Sequence, residues 1–256
     1  MKNSLLKIGS LVTYVAMVVV NFLANSLPIN NRSTGDISND YPNLFAPAGI
    51  AFSIWGLIYL LLAGYVVFQF VTKSEKTEGL FKKINPLFIA TSVANSVWIF
   101  AWHYDVIGLS VLIMAAILVL LIKIADILRK EQFTALEKFF IWAPFSIYFG
   151  WITVAAIANI TIFLVSIGWN GFGISAFIWT SVILLIGAAI GILRMQKDKN
   201  TAYGLVLVWA YFGILLKHVS ANGFNGQYPS IIITIIACLI LFIFFLVKII
   251  YKKTGN

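Results

Sequence analysis

A single cysteine, two histidines and nine acidic residues are all that this 256-residue chain offers for disulfide, metal or acid–base chemistry. One cysteine, Cys238, excludes an intrachain disulfide and a multi-cysteine metal site. Charged residues make up only 11% of the chain, against about 25% in soluble domains. None falls in the middle of a long apolar run. That weighs against a proton- or sodium-coupled carrier, which keeps an ionisable or chelating group at mid-depth. The chain also lacks a Gly-rich phosphate loop, a metal-spaced His/Cys/Asp/Glu set and a Ser-His-Asp arrangement with its parts at one depth. No enzymatic activity and no cofactor are expected. His103 and Asp105 share a short turn, and Lys217-His218 ends an apolar run; both pairs read as solvated groups.

What the chain has is hydrocarbon. It is 61% hydrophobic, with a mean hydropathy of +0.96. Eight apolar stretches match the roughly 20 residues that a bilayer core of about 30 Å demands: 8–27, 49–71, 84–102, 106–128, 139–165, 173–193, 202–216 and 230–250. They are continuous, whereas a barrel strand would alternate lipid-facing and lumen-facing residues. The expected fold is an all-α polytopic membrane protein with eight transmembrane helices.

Alternate loops carry the positive charge. Sixteen of the eighteen Lys and Arg lie on one side, and only Arg32 and Lys217 lie on the other. The positive-inside rule then predicts a multi-pass protein of the cell membrane with both termini cytoplasmic. Termini on one side require an even number of spans, as eight provides. The first span has a basic start (Lys2, Lys7) and small residues at Ala24 and Ser26. It reads as an uncleaved span, because cleavage of a signal peptide there would leave seven. The net charge of +9 reflects this topology and attraction to anionic lipid; no nucleic-acid partner is expected.

Loops are short, and the longest, residues 28–48, lies on the outer side and is rich in turn formers. A second outer loop, residues 217–229, holds a structural turn at Asn222-Gly223-Phe224-Asn225-Gly226. The first leads through Pro42 and Pro47 into a span that begins with Phe52, Trp55 and Tyr59. Steps of three, four and seven put these aromatics on one helix face. Polar but uncharged groups recur in other spans. Asn21 and Asn25 share a face of the first. Thr91, Asn95, Trp98 and Trp102 follow one another along the third, and Tyr148, Trp151, Ala155 and Asn159 along the fifth. An asparagine in hydrocarbon must bond to protein. Such residues act as interhelical glue, worth about 1 kcal/mol each, or converge on an apolar pocket with a few placed polar groups.

Three of these blocks, in order, resemble the TspO/MBR family of tryptophan-rich sensory proteins and the translocator protein (peripheral benzodiazepine receptor). Pro42, Pro47, Trp55, Gly56 and Tyr59 are similar to that family's proline-bearing loop and Trp-x-x-x-Tyr helix start. Asn95-Ser-Val-Trp98 is similar to its third-helix Asn-x-x-Trp. Tyr148, Trp151, Ala155 and Asn159 keep the spacing of its fifth helix. The chain departs from the pattern at Leu44, where the family has tryptophan, at Ala46-Pro47, where it has a proline pair, and at Ile147, its proline being displaced to Pro144. The resemblance implies a five-helix domain over residues 1–166. Residues 167–256 form a three-helix C-terminal extension, whose Trp179, Tyr203, Trp209 and Tyr211 read as interfacial anchors or packing residues.

By the same resemblance the protein is a membrane binding or sensory protein that takes, and in one reading translocates, a flat hydrophobic ligand such as a porphyrin/tetrapyrrole or a sterol. The ligand-binding residues it implies are Pro47, Phe52, Trp55, Tyr59, Asn95, Trp98, Trp151, Ala155 and Asn159, with residues 42–47 as part of a lid. The expected partners are the lipid bilayer and a hydrophobic small molecule, and a homodimer is left open. The alternative is a membrane permease or carrier subunit for an uncharged or amphipathic solute.

Overall fold

A computed structural model describes residues 2–27 and 29–254. Pro28, the first residue of the predicted outer loop, lies outside the described residues. Of Lys2 and Lys253, both counted on the basic side, only the backbone is described.

The described residues form ten α-helices and no strand. Helix α1 (Lys2–Ser26) is followed by a short α2 (Thr34–Asp40). Then come α3 (Ile54–Val71), α4 (Glu75–His103) and α5 (Ile107–Leu128). A three-residue α6 (Ala135–Glu137) leads into α7 (Ala143–Ser166). The last three are α8 (Ala176–Asp198), α9 (Thr201–Val219) and α10 (Pro229–Thr254). All but α2 belong to the eight segments long and apolar enough to cross a membrane, α6 and α7 together making the fifth. The predicted count of eight therefore holds, and the membrane-embedded helices imply contact with a bilayer.

Boundaries moved where tertiary contacts extend a helix beyond its apolar run. The third span starts about two and a half turns before hydropathy rises, at Glu75. Glu75 and Glu78 sit in its first turn, where carboxylates suit the helix dipole. Glu78 also takes Lys7 and Asn3 of α1 as partners, joining the basic ends of α1 and α4. At the start of the fifth span a capping box, Thr134 with Glu137, opens α6. A π turn, Lys138–Trp142, then joins it to α7. Pro144 stands at the head of α7. It has no N–H to donate, and the wider turn, with Ala143 N–H on the Lys138 carbonyl, accommodates it.

Helices α1, α4, α5 and α7 pack side by side, with α3 against α1 and α7. Near the basic side their core is aromatic. Tyr65 meets Phe145 edge-on at 4.8 Å between ring centroids, and Phe88 at 5.4 Å. Its hydroxyl donates to Asn85 (2.6 Å), and Asn85 donates to Gln69 (2.7 Å), so α3 and α4 are cross-linked by buried amides.

The last three helices are bound to this group through α9, which packs along α7 and against α10. Gly150 of α7 lets α9 approach, and Gly204 of α9 lets α8 and α10 approach it. A Cβ on Gly150 would stand 2.9 Å from the Val206 side chain, and one on Gly204 would stand 2.2 Å from Met195. Asn200 caps α9 by accepting from Tyr203 N–H (3.0 Å) and reaches Ser146 of α7 (2.8 Å). On the basic side, Arg194 of α8 bonds Asp126 of α5 (2.9 Å) and Asp198 (2.6 Å), and Arg129 adds to both carboxylates. The predicted boundary at 166/167 falls at the end of α7.

Candidate functional site

The site begins with how residues 42–53 are held. Asn43 folds its side-chain carbonyl onto the N–H groups of Phe45 (3.0 Å) and Ala46 (2.8 Å), a local turn that Asn forms readily. Beyond it the chain runs beside α9 in the opposite direction. His218 donates Nε2–H to the Leu44 carbonyl (2.9 Å). Ala48 N–H donates to the Gly213 carbonyl (2.9 Å). Trp209 donates Nε1–H to the Ala51 carbonyl (3.0 Å). From His218 to Trp209 is about 13 Å of helix at about 1.5 Å per residue. Gly213 makes the contact possible, since a Cβ there would lie 2.6 Å from Ala51 Cβ and 3.2 Å from Pro47 Cβ. Non-helical backbone between spans needs protein partners for its polar groups, and α9 supplies them.

After this strand-like passage, a 3-10 turn, Gly49–Ser53, leads into α3. Phe52 of this turn and Trp55 and Tyr59 of α3 then point toward α7. Phe52 meets Trp151 edge-on, centroids 5.7 Å apart. Trp55 meets Trp151 at 6.3 Å and Tyr148 at 6.0 Å, both edge-on, and stacks on Tyr59 at 5.5 Å. Edge-to-face and offset stacks are the favoured aromatic geometries, worth about 0.5–1.5 kcal/mol beyond burial. Trp151 and Tyr148 are buried, Trp55 and Tyr59 half-buried and Phe52 exposed, so the cluster has a buried back and an accessible edge. The Trp151 indole N–H is buried with no hydrogen-bond partner among the described residues.

Behind the rings, Tyr148 joins the cluster to Asn95, whose amide donates to the phenol oxygen (3.4 Å). Asn95 also accepts from Asn21 of α1 (2.7 Å). A second network lies further along α7. Trp98 donates Nε1–H to Asn159 (2.9 Å), Asn159 donates to Ser110 of α5 (2.9 Å), and Trp98 stacks on Trp102 at 5.2 Å.

The nine residues named from sequence thus fall into distinct settings. Phe52, Trp55, Tyr59 and Trp151 meet in one aromatic cluster, with Asn95 attached through Tyr148. Trp98 and Asn159 bond each other in a separate buried network. Ala155 is half-buried one turn from each of Trp151 and Asn159. Pro47 is buried against Gly213 and not among the rings. Sequence reasoning missed the α9 contacts. Of the two readings for Trp209, anchor or packing residue, the structure has the second: it packs against the core and bonds the loop backbone. Of Trp209, Gly213 and His218, only the first two, four residues apart, share a helix face by spacing, and His218 does not.

In the two pairs read as solvated the histidines are buried, while Asp105 is exposed and Lys217 half-buried. His103 is fully buried: Nδ1–H donates to the Ile29 carbonyl (3.1 Å), and Nε2 faces the Thr34 hydroxyl (3.0 Å). His218 is fully buried as well, against Phe224 at 4.8 Å. Asp105 pairs with Arg32, which also holds Asp40. Tyr41 donates to Asp105 (3.3 Å), and partial burial together with the Asp105 charge pushes its phenol above the ordinary value. The Ser33 hydroxyl and backbone N–H hold the Asp36 carboxyl below its ordinary value. The outer loop is therefore pinned at both ends, to α4 through His103 and to α9 through His218.

Beside the cluster, α3, α7 and α9 enclose a groove of about 380 Å³. Ser53, Ile54, Leu57, Ile147, Ala202, Leu205, Val206 and Trp209 line it. No group of three or more potential metal-ligating side chains occurs among the described residues.

A family model described as TSPO-like protein matches residues 7–248, which takes in α8, α9 and most of α10. No curated protein and no solved structure matches the chain.

Proposed function

The chain belongs to the TSPO-like family, and from that premise we propose that it is a membrane binding protein for a flat hydrophobic ligand of the porphyrin/tetrapyrrole or sterol type. The observation that carries the reading is the aromatic cluster of α3 and α7. Phe52 and Trp55 offer ring faces and edges at its accessible side, and the buried Trp151 N–H behind them has no acceptor. A planar ligand entering between these rings gains stacking with each. It also offers an acceptor to a donor whose burial alone costs about 1–3 kcal/mol. Asn95 orients it through Tyr148, whose hydroxyl Asn95 already holds.

The action is binding without covalent chemistry. Among the described residues, the polar neighbours of the rings are amide, phenol and indole groups. The charge asymmetry supports a place in the cell membrane with the basic side and both termini in the cytoplasm.

The test is quenching of tryptophan fluorescence by a porphyrin. Trp55→Ala and Asn95→Ala each weaken it; if neither does, the family's ligand does not carry over to this chain. Flux of the same porphyrin into proteoliposomes separates a translocator from a receptor.

A further inference from the structure

We propose that the groove between α3, α7 and α9 is a resident-lipid site that holds one acyl chain of a bilayer phospholipid. The site is distinct from the aromatic cluster and requires no ligand there.

The groove exists because α9 is held at two heights by other elements. Toward the basic side it lies against α7, where Gly150 lets Val206 and the Tyr203 carbonyl come close. Higher up it is tied to residues 44–51 by the Trp209 and Gly213 contacts. Between these holds α3 and α9 make little direct contact. The gap is therefore built into the backbone arrangement and does not close by a change of rotamer. At about 380 Å³ it lies within the usual range of ligand sites, about 300–1,000 Å³.

The lining chooses the occupant. Ile54, Leu57, Ile147, Leu205 and Val206 present branched aliphatic surface, unlike the flat rings next door. The one indole, Trp209, has its N–H donated to the Ala51 carbonyl, so it offers the groove only its apolar face. Ser53 is the one hydroxyl, at the end beside the loop. No charged side chain lines it. Leu57 and Leu205 on its two walls are exposed, and between membrane spans that exposure faces hydrocarbon. A saturated or unsaturated chain meets these demands; a headgroup or a charged solute does not. Lipid tails are as apolar as leucine, so packing into a fixed shape, not transfer from water, retains the chain.

Native mass spectrometry of the protein purified in mild detergent tests this. One phospholipid is expected to remain bound per protein. Leu57→Trp and Leu205→Trp, which fill the groove from opposite walls at exposed positions, are each expected to lose it. In bilayers of phospholipid brominated along the acyl chain, quenching is expected to fall in Trp209→Phe by more than in variants of Trp169 and Trp179, half-buried tryptophans away from the groove. Absence of any retained lipid, or equal retention by both filled variants, overturns the proposal. So does bromolipid quenching indifferent to Trp209, a readout that stands even where a filled variant does not fold.

Discussion

Trp209 donates its indole N–H to the backbone carbonyl of Ala51 at 3.0 Å, which ties the seventh span to the turn that begins the second. With the Gly213 and His218 contacts it makes the outer loop a fixed cover along α9.

Gly213 is where that cover is most sensitive. Gly213→Leu is expected to displace residues 47–51, because even a Cβ meets Ala51 Cβ at 2.6 Å. Overpacking of this kind costs about 1–3 kcal/mol. Thermal melting in detergent should fall, and amide exchange at Ala48 should rise. The milder Gly213→Ala should be partly rescued by Ala51→Gly; equal melting temperatures for single and double variants would reject the contact.

Ala155 tests the position of the ligand. It is half-buried one turn beyond Trp151. Ala155→Phe is expected to abolish porphyrin quenching while helicity and melting stay near wild type. Undiminished tight binding by this variant removes Ala155 from the site.

Asn159 and Trp98 should behave as structure. Their hydrogen bond (2.9 Å) is buried and shared with Ser110. Asn159→Ala and Trp98→Phe are each expected to lower stability by about 1 kcal/mol, the usual size of such bonds between membrane helices. The double variant should lose less than the sum of the singles. Porphyrin affinity is expected to change little, and a large loss of affinity without loss of stability would return both residues to the site.

Acid should loosen α2 first. The Ser33 hydroxyl and N–H hold Asp36 below the ordinary carboxylate value. A depressed folded-state pKa contributes stability that is full above the unfolded value and is lost as pH falls through the folded one. Amide protection of Asp36 and Ile37 should therefore stay constant from neutral pH down to the ordinary carboxylate range and drop below it. Asp36→Asn should remove that pH dependence.

The number of spans was legible because each must bury its own backbone bonds in one continuous apolar run. The seventh run looked short for a physical reason. α9 packs against α7, α8, α10 and the loop, so on its buried faces residues such as Gly204, Gly213 and His218 replace the aliphatics that lipid would favour. The aromatic face of Phe52, Trp55 and Tyr59 could be read from helical spacing alone. The burial of His103 and His218 could not, because their partners are far off in the chain: Thr34 lies 69 residues from His103, and Leu44 lies 174 from His218. The separation of Asn95 from Asn159 was equally hidden. Both share a face with tryptophan in sequence, and only packing assigns one to Tyr148 and the other to Trp98.

The cover over the second span carries a consequence for biosynthesis. Ala51 leaves the ribosome 158 residues before Trp209. Until the seventh span is inserted, the carbonyls of Leu44 and Ala51 and the N–H of Ala48 lack the acceptor and donors that α9 gives them. The front of the molecule is thus completed by its back, and the first five spans reach their final form only once the seventh span is in place.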